Sequence, residues 1–236
     1  MNFETAVRYS EMMMAFAYFQ QSLEFMHGLQ PEKMLGFIRA ILSVTLLLGF
    51  QPMLTEASLL VIAILLLHRF QGPYNGGSDC MSMLVLLCLF LSHAAPNRLL
   101  QELAISYLVF QLTYSYFQSG YTKLINPDWR SGEALRDVFA ITAYPVSEQT
   151  REWAESRGLM WAMACSVIGF ELIFPLALFN HTTLILALIM ATFFHLSNAI
   201  FLGLNRFFWI WPSAYPLIFW FQDRIAIVPK LSYVSI

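Results

Sequence analysis

The chain has 236 residues, of which 58% are hydrophobic, 16% aromatic and only 12% charged. Soluble domains carry about 25% charged residues, and a chain of this length folded in water keeps much of its surface exposed. The composition therefore argues against a soluble enzyme and a disordered scaffold. The net charge of −2 provides no basic surface, so no nucleic-acid partner is expected. We predict an integral, multi-pass membrane protein in contact with the lipid bilayer.

The first segment, 1–30, is rich in Met and Phe but also contains Gln20, Gln21 and Glu24. An interfacial helix and a protein-facing first membrane helix both fit this mixture. Its start lacks a basic region and a small-residue cleavage site, so we do not expect a cleaved signal peptide.

Apolar segments then recur along the chain, separated by short connections. Some are shorter than the roughly 20 residues that a straight membrane helix needs, and the long runs argue against a β-barrel. The sequence predicts a single all-α transmembrane domain, 1–236, formed by a polytopic bundle of about six to eight transmembrane helices. The segments are about 34–50, 54–68, 80–94, 98–118, 159–180, 182–204 and 207–221.

One connection is long, at 119–158, and it holds a large part of the charged residues. We predict that it is a functional loop with two short helices, N-capped by Ser131 and Ser147. Gly158 is the expected end of the second helix. The distribution of Lys and Arg favours a cytoplasmic loop by the positive-inside rule, but one miscounted span reverses this, so both orientations stay open.

Polar side chains lie within two of the late apolar segments. Glu171 is near the middle of one, and His195, Asn198 and Asn205 in the next are spaced to share one helical face. Such groups cost about 2.5–3.5 kcal/mol each in a bilayer. They either hydrogen-bond neighbouring helices or serve a ligand or a proton, and we favour the second for Glu171 and His195.

Metal and disulfide sites are not expected. The five histidines include no pair spaced by four residues, and the three cysteines stand singly within apolar runs. We therefore predict no metal ligands.

Lys123 stands where the long loop leaves its membrane helix, between Gly120 and Pro127. Glycine permits a close backbone approach and proline ends the helix. A lysine that is partly shielded from water in this way can act as a base, or its ammonium can simply extend to water.

Two motifs resemble the vitamin K-dependent γ-carboxylase superfamily, which includes bacterial proteins with a horizontally transferred transmembrane (HTTM) domain. The string SGYTKL at 119–124, followed by Trp129 and Gly132, resembles the family's catalytic-lysine loop. The string FFHLSN at 193–198 resembles its histidine helix, and Glu171 occupies the place of an acidic residue in the preceding helix. The resemblance extends from about residue 35 to 221.

The resemblance implies chemistry based on a quinone or hydroquinone-like cofactor in a bacterial inner membrane. In the family's carboxylase, the lysine that matches Lys123 deprotonates a hydroquinone, which reacts with oxygen to give a strong base. That base removes a proton from a glutamate of the protein substrate, and carbon dioxide adds. Here the resemblance implies Lys123, Glu171 and His195 as catalytic residues. The expected cofactor-binding residues are Tyr116, Trp129, Asn198, Asn205, Asn75 and Asp79.

The sequence also departs from the family pattern. The Asn-His pair expected near residues 75–80 is replaced by the string YNGGSD at 74–79, so Asn75 and Asp79 are the remaining polar candidates there. The carboxylases carry a large extramembrane domain for substrate binding, and we expect a partner protein to present the peptide or protein substrate to this chain.

Three functional hypotheses follow. The first is a small membrane enzyme that uses a quinone-like or lipid cofactor for proton abstraction. The alternative is a non-catalytic membrane subunit that anchors or assembles a larger complex. A transporter is the weakest, because the sequence has no inverted repeat or paired broken helices.

Overall fold

The computed structural model describes residues 1–28, 30–69, 77–141 and 146–232. About 90% of these residues are helical, and no strand occurs among them. Short 3₁₀ stretches at Trp153–Glu155, Phe174–Phe179 and Trp211–Ala214 interrupt the α-helices. The twelve helices of the described residues are α1 (Phe3–Met26), α2 (Glu32–Leu47), α3 (Pro52–Arg69), α4 (Gly77–Ala94), α5 (Arg98–Ile125), α6 (Pro127–Ser131), α7 (Glu133–Ala140), α8 (Glu148–Glu152), α9 (Arg157–Ile173), α10 (His181–Leu202), α11 (Asn205–Ile210) and α12 (Tyr215–Ser232).

Three helical segments within the described residues are long and apolar enough to cross a membrane: Gly77–Ala94, Arg157–Phe179 and His181–Leu202. The other predicted apolar segments also form helices. However, the 16 residues of α2 extend only about 24 Å, less than the roughly 30 Å of a hydrocarbon core. The all-α class is therefore confirmed, whereas the bundle of six to eight spans and the single domain stay predictions.

The described residues form two compact units. Unit 1 comprises Met1–Val109 and Trp209–Ile236. In it α1 packs against α2 and α12, and the buried Ser10 hydroxyl donates to the Ser213 carbonyl at 2.6 Å. The segment predicted as an interfacial or first helix is thus a helix with one protein-facing side, and its depth in a bilayer stays a prediction.

Unit 2 comprises Phe110–Phe208, and its loop region differs in detail from the prediction. Ser147 N-caps α8, accepting from the Thr150 N–H at 3.2 Å, as expected. Ser131 instead ends α6, and Gly132 N-caps α7. The predicted stop at Gly158 is wrong, because Gly158 lies in the first turn of α9.

These short helices pack on the start of α9. Leu135 and Phe139 of α7 form a buried cluster with Ala154, Met160 and Ala164. Gly132 permits this packing, since its φ is +83° and a Cβ there would lie 2.6 Å from the Trp161 nitrogen. The glycine fixes the position of α6 and α7 against α9.

Candidate functional site

The last turns of α5 present a polar face within unit 2. Tyr116, Ser119 and Lys123 are spaced by three and four residues, so they lie above one another on one side of the helix. The helix continues to Ile125, which places Lys123 inside its final turn rather than in a loop.

Lys123 is paired with Glu171 of α9. Its Nζ lies 2.7 Å from Oε2 and 2.8 Å from Oε1, and it also donates to the Ser119 hydroxyl at 2.5 Å. The exposed fractions of the two charged side chains are 16% and 4%. A charge pair that is this little exposed to water is stable only with good hydrogen-bond geometry. Here both carboxylate oxygens of Glu171 accept from the Lys123 ammonium.

A glycine brings the two helices together at this point. A Cβ on Gly120 would lie 2.9 Å from both the Glu171 Cβ and the Leu172 nitrogen, which is too short for any larger residue. The predicted close approach at Gly120 is confirmed, and it brings the Lys123 ammonium to the Glu171 carboxylate.

A second pair joins α5 to α10. The Tyr116 hydroxyl and His195 Nε2 are 2.8 Å apart, and both residues are buried. Phe170 meets the Tyr116 ring edge-to-face at 5.7 Å, and Phe174 lies 4.2 Å from it, measured between ring centroids. The Tyr116 hydroxyl therefore orients the His195 ring, and Phe170 and Phe174 pack against the Tyr116 ring.

Trp129 of α6 completes the surroundings of Lys123. The Lys123 Nζ lies 5.3 Å from the centroid of the Trp129 ring, within cation–π distance. Asn126 caps α6 by accepting from the Asp128 N–H at 2.9 Å, and Pro127 occupies the first helical position, where its missing N–H costs nothing.

The remaining predicted cofactor-binding residues are placed differently. Asn198 lies one turn beyond His195, and its carbonyl accepts from the Gly203 N–H at the end of α10. Asn205 does not share a helical face with them, because α10 ends at Leu202, Gly203 is left-handed, and Asn205 begins α11. Asp79 lies in the first turn of α4 in unit 1, and Asn75 lies outside the described residues.

Two pairs along α5 carry groups whose chemistry suits a hydroquinone-like ligand: Lys123 with Glu171 and, about two helical turns earlier, Tyr116 with His195. An amine or ammonium, a carboxylate, a phenol and an imidazole can exchange hydrogen bonds and protons with phenolic oxygens. Aromatic side chains beside them suit a flat ring. Lys123, Tyr116 and His195 are the residues that would hold such a group.

Another group of ionisable side chains in unit 1 was not anticipated from the sequence. Glu11 of α1, Glu56 of α3 and His93 of α4 bring their ligand atoms within 4.8 Å of one another. Each residue comes from a different helix, so no sequence spacing could reveal the group. The available signal was that Glu56 and His93 lie within the predicted apolar segments 54–68 and 80–94.

The helices and the buried Lys123–Glu171 pair define a helical membrane protein with an ionisable site in unit 2. Comparison with protein families agrees: residues 81–223, more than half of the chain, match the HTTM domain. The chain therefore belongs to the HTTM domain family, as its motifs predicted. No curated protein and no solved structure matches it significantly.

Proposed function

We propose that this protein is a small membrane enzyme in which Lys123 abstracts a proton, with Glu171 as its proton partner. Membership of the HTTM domain family suggests a membrane-associated, carboxylase-like protein. The observation that carries the proposal is the buried Lys123–Glu171 pair. We further propose the bacterial inner membrane as its location.

The pair offers a route to a neutral amine. When the proton moves from Lys123 Nζ to a Glu171 oxygen, an ion pair becomes two neutral groups, which removes the cost of holding charges away from water. Nζ then carries a free electron pair and can accept a proton from a substrate. The Ser119 hydroxyl, 2.5 Å from Nζ and 3.2 Å from Glu171 Oε1, steadies both partners during this exchange.

A hydroquinone-like cofactor would supply a phenolic proton to this site, and its two electrons would go to molecular oxygen as the co-reactant. Lys123 Nζ would accept the proton, and the Tyr116 hydroxyl with His195 Nε2 would orient the ring oxygens. Trp129 would cover the amine from the α6 side. The proton that is finally removed would come from a peptide or protein held by a partner. Exclusion of water from the site would protect the strong base that removes it.

The alternative function, a non-catalytic subunit of a larger complex, is supported by the same contacts. Lys123, Ser119 and Glu171 satisfy one another, which is what a structural clamp between α5 and α9 requires. Large apolar side chains on α10, including Met190 and Phe193, are exposed and could contact either lipid or partner helices.

The variant Lys123→Arg separates the two functions. An arginine preserves the charge and the bond to Glu171 but does not lose its proton at physiological pH. We would purify wild type, Lys123→Arg and Lys123→Met in mild detergent and measure oxygen uptake with a short-chain hydroquinone. Extracted cofactors and co-purifying proteins would be identified by mass spectrometry.

The enzyme proposal expects hydroquinone-dependent oxygen uptake in wild type that falls at least a hundredfold in folded Lys123→Arg. Equal uptake by both proteins would overturn the role of Lys123 as a base. A stoichiometric protein partner kept by all three proteins, without uptake in any, would establish the structural subunit instead.

A further inference from the structure

Unit 1 contains a buried carboxylate that has no hydrogen-bond partner among the described residues. Glu56 of α3 has no exposed surface. Within the part of the chain that the structure describes, neither of its carboxylate oxygens has a hydrogen-bond partner. A buried carboxylate in this condition is very costly, so a ligand that binds carboxylate oxygen is expected beside it.

Two further ligand atoms point to the same place. His93 Nε2 lies 3.8 Å from Glu56 Oε1 and 2.5 Å from Glu11 Oε1. The Glu11 side chain is 3% exposed and that of His93 is 28% exposed. Two carboxylate oxygens and one imidazole nitrogen are donors that first-row divalent metals accept.

Arg8 orients this group and balances its charge. Its Nη1 donates to Glu11 Oε2 at 2.7 Å and to the Leu46 carbonyl at 2.9 Å, and Nη2 donates to the Leu47 carbonyl. The guanidinium therefore holds one oxygen of Glu11 and leaves Oε1 directed at His93. Metal-ligating carboxylates commonly have such a hydrogen-bond partner behind them.

The separation of the donors is close to what a metal needs. Ligand atoms about 2.0–2.1 Å from Zn²⁺ in a tetrahedron lie roughly 3.3 Å from one another. The observed 2.5 Å and 3.8 Å fall on either side of this value. Metal binding therefore requires Nε2 of the partly exposed His93 to move away from Glu11 Oε1 and towards Glu56 Oε1.

A cavity reaches two of the three ligand residues, Glu11 and His93. Its volume is about 560 Å³, and its lining includes Arg8, Glu11, His93, Arg98 and Gln101. Three protein ligands with an open fourth position are the pattern of metal sites that exchange a water or a ligand.

We propose that Glu11, Glu56 and His93 bind a divalent first-row transition metal ion of the Zn²⁺ type in unit 1. The site uses none of the residues assigned to proton abstraction and extends the protein beyond its proposed function. Glu11 and Glu56 supply the oxygen ligands, His93 supplies nitrogen, and Arg8 fixes Glu11.

The test measures metal bound by the full chain in detergent, without a histidine tag. Wild type, His93→Ala, Glu56→Gln and the control His27→Ala are stripped with a chelator, dialysed against ZnCl₂ and analysed for zinc per chain. Titration calorimetry then gives each Zn²⁺ affinity. His27 is an exposed histidine at the end of α1, so its variant measures adventitious binding at a surface imidazole.

The expected result is one Zn²⁺ per chain in wild type and in His27→Ala, with at least a hundredfold weaker binding in His93→Ala and Glu56→Gln. If Glu56→Gln does not fold, the exposed edge of His93 makes His93→Ala the decisive variant, and its thermal midpoint should no longer rise with Zn²⁺.

Equal zinc content in wild type and His93→Ala would overturn the proposal. Absence of bound zinc together with a more stable Glu56→Gln would also overturn it, because Glu56 would then hold a proton. Lys123→Arg should bind Zn²⁺ like wild type, so failure of one proposal does not affect the other.

Discussion

Gly120 and Glu171 are in such close contact that a single added carbon would separate their helices. A Cβ on Gly120 would come to 2.9 Å from the Glu171 Cβ. The pairing of Lys123 with Glu171 thus depends on the absence of a side chain one helical turn before the lysine.

The variant Gly120→Ala should force α5 away from α9. We expect a loss of stability of about 1–3 kcal/mol, the usual effect of overpacking a close contact, and a weaker Lys123–Glu171 pair. Thermal unfolding in detergent measures the loss of stability. Gly169→Ala in α9 is the matched control, because a Cβ there meets nothing within 4 Å. The idea fails if both alanines behave alike.

Removal of one member of the ion pair should cost more than removal of both. Lys123→Met leaves a buried Glu171 carboxylate without its cation, and such a loss costs about 3–5 kcal/mol. The double variant Lys123→Met, Glu171→Leu should recover most of this, since no unpaired charge remains. A double-mutant cycle of unfolding free energies gives the coupling, and a coupling near zero would show that the two charges act independently.

Gly132→Ala should disturb the packing of α6 and α7 on α9. The position has a φ of +83° and faces the Trp161 backbone at 2.6 Å, so an alanine is both strained and in collision. We expect a loss of at least about 2 kcal/mol. Gly158→Ala, with open space around it, should be neutral or slightly stabilising because alanine favours the helix. Limited proteolysis at 126–141 should distinguish the two.

Tyr116→Phe should loosen His195 without removing the aromatic packing. The change deletes the 2.8 Å bond to His195 Nε2, and a lost buried hydrogen bond costs about 1–3 kcal/mol. Tyr114→Phe is the control, since Tyr114 is exposed and its hydroxyl donates only to the neighbouring Gln118 side chain. Equal midpoints for the two variants would contradict the positioning role of Tyr116.

Unit 1 should lose a little stability in acid through Glu4 at the start of α1. A hydrogen bond from its own backbone N–H, and next the Arg98 guanidinium, lower the pKa of Glu4 below its ordinary value of 4.5. Since the folded-state pKa is the lower one, this stabilisation is present above pH 4.5 and is lost as the pH falls through the folded value. Glu4→Gln should show a shallower acid dependence of the thermal midpoint; identical profiles would refute the linkage.

The sequence predicted the helices well because long apolar runs dominate them. Its motifs also selected Lys123, Glu171 and His195, whose roles stay predictions, but they did not reveal the contacts of these residues. Lys123 and Glu171 are 48 positions apart, and only the packing of α5 on α9 at Gly120 joins them. Hydrophobic periodicity describes one helix at a time, so it does not predict which side chains of two different helices form a pair.

Two of the wrong predictions have local causes. Residue spacing alone puts Asn205 on the face of His195, but Gly203 adopts a left-handed conformation and ends the helix first. The sequence pattern favours a helix end at Gly158, although this glycine is exposed in the first turn of α9 and tolerated there. A glycine permits a helix to end, and the surrounding packing decides whether the helix ends there.

The 3₁₀ stretch that follows α9 sets the depth of the candidate site. With its wider rise per residue, Arg157–Phe179 extends roughly 37 Å, more than a hydrocarbon core of about 30 Å. Glu171 lies roughly 21 Å along this axis from Arg157 and roughly 16 Å from Phe179. A bilayer that spans this segment therefore places the carboxylate at the depth of the acyl chains whichever end emerges. In the proposed reaction, a substrate proton would reach it sideways through the protein or the lipid rather than from the aqueous phase.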